Sequence, residues 1–262
     1  MNDALVLDLP LAQPHARRRL ALALWLSGMA GVVALVWWVL PDLIARQPLP
    51  GPLPIPMWAL QLASGAQSAA LLGLAVWAGI AQAGKVGLHA PAFEAFASRG
   101  STREALRPQW RPGIAGGIAV GAMLVLAWAT QPAALAAANT TMSIPLAVRV
   151  LYGGVTEELL LRWGVMSLLL WGLWRGVQRG RGAPRDAIAW AAILASALLF
   201  AVGHLPAAYT MLGALDAATL AWVVGFNTLA GSVFGWLYWR YGLEAAMLAH
   251  ALAHVVAVGT LQ

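Results

Sequence analysis

Three short stretches of this chain set ionisable side chains among apolar ones. They are Thr156-Glu157-Glu158-Leu159-Leu160-Leu161-Arg162, Phe200-Ala201-Val202-Gly203-His204 and His250-Ala251-Leu252-Ala253-His254. On a helix, residues four apart share a face, so Glu158 can pair with Arg162, and His250 and His254 point the same way. Glu157, one residue earlier, points about 100° away from that pair. One carboxylate is then neutralised by the arginine, while the other is free to act as a general base. With His204 the set becomes one free carboxylate and three imidazoles from three helices. Such a set can bind and polarise a water, with or without a metal.

Each piece also has a plainer reading. Glu158–Arg162 could be a buried ion pair that only stabilises a bundle. His204 could be a packing histidine, and His250 and His254 could be structural. Phe200 reads as core packing and at most as a wall of the site. Glu244, near a helix start, complements the helix dipole, and Asp186 and Asp216 read as helix caps. His15 and His89 fall in loops and receive no role. The combination carries the functional reading, because ionisable groups inside membrane helices are costly and usually face a cavity or a partner.

The elements that must position these groups are membrane spans. Of 262 residues, 61% are hydrophobic and only 10% are charged, and the mean hydropathy is +0.73. Soluble domains carry about 25% charged residues. Spanning needs about 20 mainly apolar residues. The sequence predicts an all-α polytopic transmembrane helix bundle, a single membrane domain over 1–262, with about seven spans (six to eight). The spans fall near 20–40, 57–83, 113–130, 144–174, 187–205, 217–238 and 242–261. Residues 41–56 are proline-rich and read as a loop. Between the second and third spans, Arg99, Arg103, Arg107 and Arg111 recur every fourth residue after Phe93 and Phe96, which predicts one interfacial amphipathic helix. Several tryptophans (Trp37, Trp38, Trp58, Trp171, Trp174, Trp239) sit near predicted span ends, as an aromatic belt would. Straight helices would set His204 and His250 toward opposite ends of their spans. Convergence on Glu157 therefore calls for tilted or broken helices around a cavity.

Charge narrows the function classes. The net charge of +6 comes from basic residues in short clusters between apolar segments. That is the pattern of cytoplasmic loops rather than of a nucleic-acid groove. Clusters at 17–19, 85–111, 175–185 and 240 fall on one side after alternating crossings, which places the N-terminus in the cytoplasm. Cysteine is absent, so disulfides and thiolate chemistry are excluded. The N-terminal stretch lacks the early basic region of a cleavable signal peptide.

Glu157-Glu158-x-x-x-Arg162, Phe200-x-x-x-His204 and His250-x-x-x-His254, in that order and in apolar helices, resemble the CPBP family of intramembrane proteases. That family includes the type II CAAX prenyl endopeptidases and the bacteriocin-processing or self-immunity proteins. The resemblance covers about 145–260. One position departs: His254 stands where the family usually has asparagine, and either side chain can donate to an oxyanion. The resemblance implies an intramembrane endopeptidase acting on a membrane-associated peptide or protein, or a CAAX-like substrate. Glu157 would activate a water, His204 would hold that water or a metal, and Glu158 and Arg162 would set the geometry and charge of Glu157. His250 and His254 would stabilise the oxyanion. A metal-assisted form would use Zn2+ or another divalent cation on Glu157, His204 and His250; a metal-free glutamate mechanism is the other form.

Two other classes compete. A non-catalytic immunity or scaffold protein would use the same polar groups structurally. A proton-coupled carrier would need symmetric halves, whereas these groups are confined to the C-terminal half. The Ala-, Leu-, Trp- and Arg-rich composition points to a GC-rich bacterial source, hence to an inner membrane location. The natural substrate, its prenylation and the oligomeric state stay open at this level.

Overall fold

The computed structural model describes residues 14–46, 54–139 and 144–261. The N-terminal stretch read for a signal peptide and residues 47–53 of the proline-rich segment lie outside them, and residues 41–45 of that segment continue the first helix instead of forming a loop. The described residues form helices and no strand. Six helices are long and apolar enough to cross a membrane: Pro14–Ala45, Met57–Val86, Trp110–Ala129, Asp186–Leu212, Ala217–Tyr241 and Leu243–Leu261. Trp37, Trp38, Trp58, Leu62, Leu74 and Trp77 expose more than half of their surface, as side chains facing lipid rather than water would.

The predicted fourth span is helical too, but wound differently. A short α-turn at Leu146–Val148 leads into π-helix over Arg149–Glu157 and Leu159–Met166, and α-winding returns over Ser167–Val177. Hydroxyls follow the wider turn. Thr156 Oγ1 and Ser167 Oγ each reach a carbonyl five residues back, Leu151 at 3.3 Å and Arg162 at 3.3 Å. π-Winding is uncommon and often marks functional segments; here it carries Glu157, Glu158 and Arg162.

This helix is central. Its first π segment packs on the first and last helices, and its second on Met57–Gln82. Thr156 Oγ1 donates to the Gly28 carbonyl at 2.7 Å, which joins it to the first helix. The last helix lies along Trp110–Ala129, where Gly113, Gly117 and Gly121 face Ala245, Ala249 and Ala253. A Cβ on those glycines would stand 3.1, 3.0 and 3.3 Å from the facing alanine carbonyls. Lipid gives little hydrophobic drive between helices, so such small residues supply contact by letting backbones approach. The Asp186–Gly203 and Ala217–Tyr241 helices pair antiparallel, with Gly231 against Ala197 and Gly235 against Ile193.

The expected single amphipathic helix is instead two short ones, Pro91–Ala97 and Thr102–Leu106. Arg99 takes a left-handed φ of 61°, and Ser101 caps the second helix by accepting from Glu104 N at 3.3 Å. Arg111 belongs to the next span, so the four arginines do not share a helix face. This basic region is fastened to the start of the last helix. Leu243 N donates to the His89 carbonyl (3.0 Å). Glu244 Oε1 accepts from Ala92 N (2.8 Å) and Phe93 N (2.9 Å), and Gln109 Oε1 accepts from Ala245 N (3.1 Å).

Candidate active site

The π-wound helix and the last helix together position the polar core. Glu158 and Arg162 are fully buried, and Arg162 Nε stands 3.3 Å from Glu158 Oε2. This is an ion pair without hydrogen-bond alignment, for neither atom meets hydrogen-bond geometry. Arg162 Nη2 donates to the Gly231 carbonyl at 2.9 Å. Its guanidinium lies between two rings, 5.0 Å from the centroid of Phe200 and 5.5 Å from that of Phe234. Its Nη1 has no hydrogen-bond partner among the described residues, so the buried charge is balanced by the carboxylate, one carbonyl and the two rings.

The other oxygen of Glu158 has a different partner. Oε1 lies 2.8 Å from His250 Nδ1, so Nδ1–H donates to the carboxylate and fixes which ring nitrogen faces outward. Phe234 stacks on His250 at 4.4 Å with 16° between planes, and Phe200 meets it edge-on at 6.0 Å. The chain Arg162–Glu158–His250 thus fixes the imidazole in position, tautomer and plane. The sequence paired Glu158 with Arg162 alone, because a contact between residues 158 and 250 has no local spacing to reveal it.

The outward nitrogen meets the second carboxylate. Glu157 Oε2 is 3.9 Å from His250 Nε2, beyond hydrogen-bond distance, and Glu157 keeps 20% of its side chain exposed against none for Glu158. The two adjacent glutamates are therefore unequal: Glu158 is locked in structure and Glu157 is left accessible. His254 stacks beside His250 with centroids 5.1 Å apart and 29° between planes. Both Nε2 atoms converge on Gly153, where a Cβ would stand 2.9 Å from that of His254 and 3.3 Å from that of His250. Glycine at 153 lets the two imidazole tips come against the π-wound backbone.

His204 joins from the other side of Phe200. The Asp186–Gly203 helix ends at Gly203, and a second short helix, Leu205–Leu212, starts with Pro206 in its first turn. His204 sits at this break. Its Nδ1 donates to the Phe200 carbonyl at 2.8 Å, so the neutral ring offers Nε2 as an acceptor. Its ring is 4.6 Å from Phe200, edge-on. Phe200 is thus the wall shared by His204, His250 and Arg162. The fifth span is interrupted at His204 and the fourth is π-wound; His204 itself contacts Phe200, not Glu157, His250 or His254.

The donor types of Glu157, His204 and His250 suit a divalent cation, and each histidine has its Nδ1 tied by an oxygen, as metal-bound histidines usually do. Among the described residues, however, no three His, Asp or Glu groups gather closely enough to hold one. The described residues do not form a preassembled metal centre.

Of the remaining residues weighed from sequence, Asp216 caps its helix through Oδ1, which accepts from Thr219 N at 2.7 Å. Asp186 lies in the first turn of its helix, behind Arg185 at the cap. Glu244 does more than complement a dipole: its carboxylate reaches back to residues 92 and 93.

Residues 139–256 match the family model described as type II CAAX prenyl endopeptidase, Rce1-like. No curated protein and no solved structure matches the chain.

Proposed function

We propose, from the match of residues 139–256 to the Rce1-like type II CAAX prenyl endopeptidase family model, that this protein is an intramembrane endopeptidase. It cleaves a membrane-associated, CAAX-like peptide with a water activated by Glu157. The observation that carries the reading is the inequality of the two glutamates: one buried and fixed between Arg162 and His250, the other accessible and facing the outward nitrogen of the same histidine.

In this reading Glu157 takes a proton from water, and His204 Nε2 accepts a hydrogen bond from the same molecule. The water oxygen attacks the scissile carbonyl, whose π electrons move to oxygen. The resulting oxyanion sits beside Gly153, where the Nε2 atoms of His250 and His254 converge. With Nδ1–H given to Glu158, the outer nitrogen of His250 donates when the ring carries both protons. Collapse breaks the C–N bond, and the proton held by Glu157 passes to the leaving amine. Proton transfer by a placed carboxylate contributes about 10²–10⁴-fold, and one oxyanion donor contributes about 10²–10³-fold.

The test is Glu157→Gln, purified in detergent and given an S-farnesylated peptide whose cleavage is followed by mass spectrometry. The rate should fall by about three orders of magnitude while the melting temperature stays within a few degrees, because Glu157 makes no buried ion pair. Cleavage at the unsubstituted rate would remove the proposal.

A further inference from the structure

The basic residues near the start of the first helix have no part in the scheme above, and the fold brings them against another basic residue far along the chain. Arg18 and Arg19 belong to the first helix, and Arg99 follows the Pro91–Ala97 helix. Together with His15 they line a surface cavity of about 590 Å³, a size usual for small-molecule sites.

Arg19 is set in place. Its Nη2 donates to the Phe96 carbonyl at 3.1 Å, and its guanidinium lies 5.6 Å from the centre of the Phe96 ring. Among the described residues no carboxylate lies within ion-pair distance of Arg18, Arg19 or Arg99. Like charges gathered around one hollow concentrate an anion there, and planar guanidinium forks match the oxygens of a phosphate.

The backbone supplies a second observation. Arg99 has a φ of 61°, in the left-handed region that is unfavourable for residues other than glycine. It stands just past the end of the Pro91–Ala97 helix, where Gly100 N donates back to the Ala95 carbonyl at 2.7 Å. Glycine is the usual left-handed residue of such a turn. Here the glycine comes one place later, and the left-handed residue is arginine. Strain kept in this way points to a side chain in use.

The wall beneath the arginines indicates which anion. Arg18, Leu22 and Leu26 recur every fourth residue along one face of the first helix. Leu22 also lines the cavity, and both leucines are 59% exposed. The cationic rim therefore runs on into an apolar, lipid-facing track, about 12 Å from Arg18 to Leu26. A soluble anion needs only the rim. A phospholipid uses both, with its phosphate among the arginines and an acyl chain along the leucines.

We propose that this cavity is a site for the phosphate of an anionic membrane phospholipid, held jointly by the first helix and the turn after Pro91–Ala97. Its effect reaches the polar core indirectly. The first helix holds the π-wound helix through Gly28 and Thr156, and residues 92 and 93 hold the start of the last helix through Glu244. A headgroup seated here braces those two supports against each other. The site does not depend on the endopeptidase reading.

The experiment uses the full-length protein in detergent, with phosphatidylglycerol as the probe and phosphatidylcholine as the zwitterionic control. Native mass spectrometry counts bound lipid, and a thermal melt reads the bracing. Phosphatidylglycerol should bind more tightly than phosphatidylcholine and raise the melting temperature. Arg99→Gly relieves the left-handed strain, so the lipid-free protein should melt no lower, yet phosphatidylglycerol should bind about fivefold more weakly. Arg103→Gln removes the same charge from the exposed face of the neighbouring Thr102–Leu106 helix, outside the cavity, and should leave binding unchanged. Equal losses in the two variants, or equal binding of the two lipids, overturn the proposal. Inorganic phosphate at millimolar concentration should neither displace the lipid nor raise the melt; displacement would make this a site for a soluble anion and overturn the lipid assignment. Asp3 and Asp8 lie outside the described residues, so Asp3→Asn combined with Asp8→Asn forms the last arm. Phosphatidylglycerol binding should be the same in that variant. Binding that appears only there would give the cavity to the chain's own acids and overturn the proposal.

Discussion

Alanine at position 153 tests the convergence of the two imidazoles without altering any ionisable group. Its Cβ would stand 2.9 Å from His254 Nε2 and 3.3 Å from His250 Nε2, whereas ordinary contacts begin near 3.4 Å. His250 has little freedom to yield, being bonded to Glu158 at 2.8 Å and stacked on Phe234 at 4.4 Å. His254 must then withdraw by about 0.5 Å in a close-packed interior. Overpacking costs about 1–3 kcal/mol, and replacing a helical glycine returns up to about 1 kcal/mol of propensity. The net loss of stability is therefore at most about 3 kcal/mol, and about 2 kcal/mol where the full propensity gain is realised. A misplacement of 1 Å can cost about 10²-fold in rate, so Gly153→Ala should lower kcat/KM by about 10- to 100-fold. The assay pairs cleavage of the farnesylated peptide with a thermal melt in the same detergent. An unchanged kcat/KM refutes the reasoning. So does a loss of activity that only mirrors a collapse of the melt.

Three further perturbations separate the parts. Glu158→Gln strips Arg162 of its buried counter-ion and should cost about 3–5 kcal/mol, read by denaturation; a melt equal to the unsubstituted protein would show that the ion pair is not structural. Prolonged treatment with a chelator should leave cleavage unchanged, since no three-ligand set is assembled; loss of activity, restored by one added divalent metal, would overturn the metal-free scheme. His89, outside the spans, has its pKa raised, mainly by the hydrogen bond to Glu94, with burial opposing and Coulombic attraction to Glu94 adding. Its contribution is complete below the ordinary value near 6.5 and is lost as pH rises through the raised one. Melting temperature should fall slightly from pH 6 to pH 8.5, by less than about 1 kcal/mol in stability because the ring is half exposed, and His89→Ala should flatten the slope.

How much of this was legible in sequence differs from element to element. The spans were, because runs of about 20 apolar residues admit little else; the predicted fifth, 187–205, differs from Asp186–Gly203 by one or two residues at each end. The π-winding at 149–166 was not, because an extra residue per turn depends on how neighbouring helices press on Gly153, Gly154 and Gly164. The break among the basic residues was visible but overread: Ser101-x-x-Glu104 is a capping-box pattern, and it outweighs arginine periodicity. The site residues were legible as types and spacings. The partner of Glu158 across 92 positions was not, nor was Gly153, whose importance lies in what it omits. The Gly113, Gly117, Gly121 stripe, one glycine every fourth residue, carried a readable small-residue signal.

The bonds from Leu243, Glu244 and Ala245 to residues 89, 92, 93 and 109 have a consequence for where the chain could be cut. The last helix bears His250 and His254 on a nearly featureless alanine track, along which a slip of one turn would move both rings about 5 Å. What stops that slip is a clamp built from the N-terminal half, outside the 139–256 stretch that matches the family model. A fragment trimmed to 139–256 would keep Glu157, His204, His250 and His254 and lose the stop that sets the height of the last helix, so the N-terminal half acts as the molecule's ruler.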